Sequence, residues 1–224
     1  MGEEDAASMP LLEALETTRS VRRFHLDEDM PDSVLADILH MATRAPNPGN
    51  MQRWRFVVLR RDAEAVRAML GDAYRAGWSE QRISYGYHRL PEGEDSPKAR
   101  IGRTMQLFVD NFERIPVLIL ACVSGVGESA YLGGAPAIFP ACQNLLLAAR
   151  AYGYGGVLTT WHRRIEPELR ELLEIPADTL IAATIPLGRP CGHFGPMRRR
   201  PLRQAVFDGK WGTTATWIPS ADTA

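Results

Sequence analysis

Apolar residues recur along this chain at two periods, and the switches between them lay out a succession of helices and strands. Pro10 opens the first helical stretch, in which Leu11, Leu12 and Leu15 share one stripe running towards Thr18. A second predicted helix begins after Asp32, where Val34, Leu35, Ile38, Leu39 and Ala42 fall at helical spacing, and Pro46 closes it. Trp54 to Leu59 reads as a strand, and Asp62 is placed to cap a helix carrying Val66, Met69, Leu70 and Ala73. Val117 to Val123 is a continuous apolar run behind Pro116, the pattern of a strand buried on both faces. Pro140 then starts a helix, Ala141 to Tyr152, that is apolar almost all round, and Gly153 stands where a helix end favours glycine. A shorter helix is predicted over roughly Pro167 to Leu173, and Leu180 to Leu187 gives another buried strand.

Two stretches break this rhythm. Residues 77 to 103 combine Gly77, Gly86, Gly93 and Gly102 with Trp78, Tyr85, Tyr87 and His88, followed by the acidic run Glu92 to Asp95. They read either as an adaptable lid over a ligand or as an ordinary surface excursion. Beyond Gly188 the chain is rich in Pro, Gly and Arg, and residues 198 to 224 form a C-terminal arm without clear period. Its Trp211 and Trp217 need a surface to pack on, in this subunit or a second one. Residues 1 to 9 are expected to be flexible.

Length and charge narrow the class. With 224 residues and 24.9 kDa the chain reads as one domain spanning 1 to 224. A net charge of −1 and a pI near 6.5 select neither nucleic acid nor an anionic membrane, so any anion site must be local. Cys122, Cys142 and Cys191 are odd in number and widely spaced, which argues against a disulfide framework and a zinc site and fits a reducing cytoplasm. The acidic N-terminal stretch lacks the apolar run of a signal peptide, and no apolar stretch has the length of a membrane span. His25, His40, His88, His162 and His193 show no metal-ligand spacing, and no Gly-x-Ser-x-Gly elbow supports nucleophilic hydrolysis. No metal and no essential catalytic acid or base are assigned.

Candidate chemistry gathers in four places. Arg19, Ser20 and Arg22 follow the first predicted helix and offer two guanidiniums and a hydroxyl to a phosphate. The loop Ala45-Pro-Asn47-Pro-Gly-Asn50-Met-Gln52-Arg-Trp54 carries amides; Asn50 and Gln52 each pair a donor with an acceptor, which suits the edge of a flavin ring. Gly153-Tyr154-Gly155-Gly156 follows a helix, not a strand, so it is no dinucleotide loop; it permits close backbone approach, and Val157 to Thr160 beyond it can line a flat ligand. Arg198-Arg199-Arg200 is by itself a solvated run, raised in interest because dianionic phosphates commonly draw arginines from separate segments.

In their order these motifs resemble the FMN-dependent nitroreductase family: R-S-x-R-x-F, A-P-x-x-x-N-x-Q-x-W, a Gly-rich turn after a long apolar helix, L-G-x-P, and a terminal Arg-Arg-Pro-Leu, running from about Arg19 to Val206. The resemblance implies an α+β fold, a three-layer α/β/α sandwich with a central mixed β-sheet, and a homodimer with composite FMN sites at its interface. Carried across, it implies that Arg19, Ser20 and Arg22 hold the FMN phosphate, joined by Arg199 and Arg200. Asn47 and Asn50 would reach the flavin from the other subunit, with Gln52 near the ribityl chain or ring edge. Val157, Leu158, Thr159 and Thr160 would lie against the isoalloxazine near N5. Two departures stand out: Arg53 occupies the place where the family usually has Pro, and Leu158 with Thr159-Thr160 replaces residues that well-known members use.

The expected activity is a ping-pong cycle in which NADH or NADPH delivers hydride to flavin N5 and a nitroaromatic, quinone or related acceptor removes it. The alternatives are a flavin-binding or sequestering protein of the same fold with little turnover, and a specialised flavin dehydrogenase. A small-molecule acceptor is the expected partner, with no nucleic acid and no membrane.

Overall fold

The computed structural model describes residues 9–126 and 135–219. Its framework is a sheet of β1 (Trp54–Leu59), β2 (Val117–Val123), β3 (Gly155–Gly156) and β4 (Leu180–Gly188), in the spatial order β1-β2-β4-β3. Helices cover both faces: α1 (Leu11–Thr17), α2 (Asp32–Ala42), α3 (Glu64–Ser84), α4 (Pro97–Asp110), α5 (Ile138–Ala151) and α6 (Glu166–Leu172). β2 is buried along its whole length, as its unbroken apolar run predicts. Val117, Ile119, Ala121 and Val123 belong to the core shared with α2 and α5, whereas Leu118, Leu120 and Cys122 belong to the core shared with α3, α4 and α6. This period-two division of one strand makes the molecule three layers deep.

The sheet differs from the mixed one expected: every described pairing is antiparallel. The connection explains it. Between β1 and β2 the chain runs out along α3 and back along α4, so it re-enters the sheet beside the point where it left, with Leu59 opposite Leu118. The ends of this excursion are clamped by Arg67, buried at 3% exposure, whose guanidinium donates to the carbonyls of Leu59 (2.9 Å), Glu113 (2.8 and 3.1 Å) and Ile115.

Element boundaries depart from expectation in instructive places. α3 continues through Gly77 to Ser84, and α4 begins at Pro97, so most of the 77 to 103 excursion is helical, with a turn at 85 to 96. Gly77 is no loop signal: a Cβ there would stand 3.0 Å from the Trp161 ring, which packs directly on the helix backbone. Gly86, with φ of 69°, does make a turn. α3 starts at Glu64 with Ala63 at its N-cap, so Asp62 does not cap it. α5 starts at Ile138, and Pro140 sits within its first turn, where the missing N–H costs nothing. A β-bulge places Ala121 opposite Ala183 and Cys122 opposite Ile181; the extra residue, Ala182, reverses which face the chain presents on either side of it. In the C-terminal arm Phe207 bridges to Thr214 and packs on Trp211, which is nevertheless 92% exposed. The expectation of flexibility at 1 to 9 falls, but for Met9, outside the described residues.

Candidate functional site

The arginine segment is pinned to the sheet by backbone bonds at the outer edge of β3 and beside residues 189 to 191, which continue β4. The Val21 amide donates to the Gly156 carbonyl (2.9 Å), the His25 amide to Arg189 (2.9 Å) and the Cys191 amide to Arg23 (3.0 Å), while Val21 and Phe24 are buried. Arg19, Ser20, Arg22 and Arg23 thereby line an open cleft of about 360 Å³, walled on its other side by residues 190 to 194. Gly155 and Gly156 make this docking possible. A Cβ on Gly155 would stand 2.5 Å from Val21, and one on Gly156 would stand 2.6 Å from the Pro186 carbonyl. The glycines thus serve contact between segments of the chain itself, whereas Gly153 (φ 76°) turns the end of α5.

The electrostatics of this cleft are unusual for the molecule. Arg60, Arg61, Arg75, Arg103, Arg164 and Arg170 each hold a carboxylate. Among the described residues, the side chains of Arg19, Arg22 and Arg23 have no hydrogen-bond or ion-pair partner. Arg22 is also half-buried, and the desolvation that comes with burial lowers its pKa, although a guanidinium stays charged at any working pH. Unpaired cations beside a hydroxyl, one of them partly desolvated, are the donor set a phosphate needs.

From the cleft, the edge of β3 leads onward. Gly155 opposite Gly188, Gly156 opposite Leu187 and Thr159 opposite Thr184 all share one register, so residues 155 to 160 continue as an edge strand. Pro186 has no N–H to give, which interrupts the ladder midway. Thr159 exchanges both backbone bonds with Thr184 (3.0 and 2.9 Å). Alternation then turns the amides of Leu158 and Thr160 the other way, towards the same open edge on which Val21 meets Gly156. Val157 is buried at 3% exposure and Gly155 and Gly156 carry no side chain, so backbone faces outward at the start of this stretch, and the exposed Thr160 ends it.

Behind the edge lies a buried polar chain. The Tyr74 hydroxyl bonds Thr159 Oγ1, which donates to the Thr184 carbonyl (2.9 Å). His162 Nε2 donates to the Ile181 carbonyl (3.1 Å), which leaves Nδ1 to accept from Thr184 Oγ1 (3.0 Å). Burial lowers the His162 pKa and pushes that of Tyr74 up to about 12, so both are neutral.

The amide loop stands apart from all this. Asn47 Oδ1 accepts the Gln52 amide (2.9 Å), and Gln52 Nε2 donates to Asn50 Oδ1 (3.1 Å). Asn50 (φ 53°) and Gln52 (φ 50°) both adopt left-handed backbone, a cost of about 1–3 kcal/mol each that side-chain bonds within the loop help to hold. Arg53, at the position of the family proline, donates to the Gly125 carbonyl (2.8 Å) and ties the loop to the end of β2. Asn47 and Gln52 border a recess of only about 10 Å³, room for no more than one water molecule. Trp54 lies level with Val123 and Leu180, whereas Val21 lies beyond β3 level with Leu187. At standard spacings the two half-sites are roughly 20 Å apart along the strands and about 19 Å across them.

A second cleft, of about 500 Å³, adjoins the arginine cleft, since Arg22 and Thr104 line both. Its wall is aromatic, formed by Trp78, Tyr85 and Tyr87 of the α3–α4 excursion, with Arg100 at its rim. Trp78 packs on Tyr87 at 5.2 Å and donates its indole N–H to Gln106 (2.9 Å). Sequence reasoning flagged these aromatics without placing them beside Arg22, and it passed over Arg23 and Thr104. Arg199 and Arg200 are exposed, and neither lines the arginine cleft; the Arg199 guanidinium rests on Met197 Sδ (3.0 Å) and the Arg198 carbonyl (3.3 Å). Arg23 is the third guanidinium there instead.

The chain has relatives among known proteins. Residues 15–189 match the model of the nitroreductase family. An NADH dehydrogenase of Thermus thermophilus is 30% identical over 210 residues, covering 90% of this chain and 98% of that protein. A chloronitrobenzene nitroreductase of Comamonas testosteroni is 27% identical, covering 80% of this chain and 86% of that protein. A flavoprotein structure from Desulfovibrio desulfuricans, solved in complex with FMN, superposes with a TM-score of 0.63 at 25% identity, covering 91% of this chain and 99% of that one.

Proposed function

The chain belongs to the nitroreductase family, and from that membership we propose an NAD(P)H oxidoreductase whose FMN sites are completed between two copies of the chain. Family and relatives alike make it an FMN-using, NAD(P)H-dependent enzyme. The residues present fit the cofactor. The observation that carries the reading is the alignment of Arg19, Ser20, Arg22 and Arg23, cations without counter-ions, with the outward amides of Leu158 and Thr160 along one edge. An elongated ligand with a phosphate at one end and a flat heteroaromatic ring at the other matches that order.

When bound, FMN supplies the redox chemistry, taking hydride from the nicotinamide and passing electrons to a nitroaromatic, quinone or related acceptor in a ping-pong cycle. The chain's own residues bind, orient and shield. The arginines fix the phosphate, Val157 to Thr160 present backbone to the ring, and the aromatic cleft of Trp78, Tyr85 and Tyr87 accommodates donor and acceptor in turn. Asn47, Asn50 and Gln52 sit too far from the arginines of their own chain to share a ligand with them, which supports delivery of this loop by a second copy. Arg199 and Arg200 would have to approach by movement of the arm or from that second copy.

The deciding experiment is spectroscopic. Purified protein should be yellow with FMN released on denaturation, and anaerobic NADH or NADPH should bleach it. Steady-state oxidation of either nucleotide with a quinone separates an enzyme from a flavin-sequestering protein. A colourless protein with no FMN affinity refutes the assignment.

A further inference from the structure

Tyr74, His162 and Thr184 are each fully buried, yet they carry polar atoms into a layer otherwise filled by Leu70, Phe108, Phe112 and Leu120. Phe at 74 and Val at 159 would fill nearly the same space without taking a hydroxyl out of water, and replacing both partners of a buried hydrogen bond by apolar groups of like shape is often neutral for stability. Stability alone therefore does not call for this chain of bonds. Its direction is fixed at every link. The Thr184 carbonyl only accepts, so Thr159 Oγ1 donates to it and accepts from Tyr74. The Ile181 carbonyl only accepts, so His162 is protonated on Nε2 and Thr184 donates to Nδ1.

The bond from Tyr74 and the bond to the Thr184 carbonyl meet on Thr159, the residue whose backbone closes the bridge to Thr184 beyond the gap left by Pro186, while His162 holds the Thr184 side chain behind it. Thr160 follows at once; its carbonyl accepts from the Arg163 amide (3.2 Å), and strand alternation from the Thr159–Thr184 pair turns its amide to the open edge. The aromatic ring of Tyr74 is itself immobilised, stacked on Phe112 at 3.8 Å and edge-on to Trp161 at 5.5 Å. We propose that Tyr74 and Thr159 are positioning residues that hold the Thr160 amide at the hydride-accepting edge of the flavin, with Thr184 and His162 fixing the rotamers behind them. This rests on the flavin reading above.

The test uses FMN-loaded protein carrying Tyr74→Phe, Thr159→Val or Thr159→Ser, with apoprotein melting recorded in parallel. Expected are near-normal melting for Tyr74→Phe and Thr159→Ser and lower melting for Thr159→Val, which strands the buried Tyr74 hydroxyl. Tyr74→Phe and Thr159→Val should also show a displaced visible flavin band, with reduction by saturating NADH or NADPH slowed about tenfold or more. Thr159→Ser, which keeps the hydroxyl, should recover to within about threefold of the original rate. Wild-type spectra and rates in Tyr74→Phe and Thr159→Val would overturn the proposal, as would Thr159→Ser being as slow as Thr159→Val. Should Tyr74→Phe fail to fold, the Thr159 pair decides alone. A wild-type protein without FMN affinity fails the flavin reading instead, so the two failures are separable.

Discussion

Replacing Arg22 with Met should separate ligand binding from folding, because on the proposed reading this side chain serves a ligand at the expense of the free protein. Its guanidinium is half-buried and has no partner among the described residues, so the apoprotein bears a desolvation cost with nothing set against it. Methionine keeps the aliphatic stem and removes the charge. The apoprotein should therefore melt at the same temperature or higher. FMN should bind more weakly by the value of a charge-assisted contact, about 1.5 to 3 kcal/mol, or roughly ten- to a hundred-and-fifty-fold in Kd. Arg19 is exposed, hence more screened, and Arg19→Met should cost less and fade faster with salt. The assay is FMN fluorescence quenching on apoprotein at two ionic strengths, paired with thermal melts. A variant that melts lower yet keeps wild-type FMN affinity would refute the reasoning, since it would make Arg22 a structural residue.

Other outcomes follow from other parts of the molecule. Arg67→Met should destabilise the protein by roughly 3 kcal/mol or more in urea melts, because it strands the carbonyls of Leu59, Glu113 and Ile115; an unchanged midpoint would contradict the clamp. His162 is buried neutral with a lowered pKa, so the unfolded chain gains a proton near pH 6.5 before the folded one does. Stability is then full above that pH and falls below it with a limiting slope of about 1.4 kcal/mol per pH unit, a slope that His162→Gln should lack in melts between pH 7.5 and 5. Gly155→Ala, whose methyl would strike Val21, should loosen the arginine segment and weaken FMN binding; full affinity in that variant would show the segment is not needed. Mixing Arg22→Ala subunits with Asn50→Ala subunits should restore native affinity at up to one site per heterodimer, and no rescue would argue for sites built within one chain.

Much of the scaffold was legible because burial wrote it plainly. β1 and β2 occupy the predicted residues, since an apolar run sandwiched between helix layers leaves no other reading. Glycine was the main source of error. In the stretch from 77 to 103 it signals turns at Gly86 and Gly93 but close packing at Gly77 and Gly102, where Trp161 and Tyr87 press on helix backbone. A sequence does not distinguish a glycine chosen for its φ from one chosen for its missing Cβ. The arginine grip was visible as composition, but the membership of Arg23 and Thr104 depends on how Val21 docks on Gly156, a contact across more than a hundred residues. The bulge at Ala182 left no sequence signal at all, although it decides that Ile181 and Thr184 both face the Tyr74 side.

The Arg67 clamp has a consequence for how such a protein can diversify. The excursion from β1 to β2 leaves and re-enters the sheet at neighbouring rungs, and one guanidinium staples its entry to its exit. The tip of the excursion, residues 85 to 96, behaves as a cassette, free to lengthen or shorten without shifting the strands, whereas Leu70, Tyr74 and Phe108 of its flanking helices and Phe112 just beyond them stay in the core. The excursion carries Trp78, Tyr85, Tyr87 and Arg100, the wall of the larger cleft, while Arg19, Arg22 and Arg23 lie outside it, and the two clefts meet at Arg22 and Thr104. Grafting a different loop between residues 85 and 96 should therefore exchange one range of acceptors for another in turnover assays while FMN affinity stays at the wild-type value.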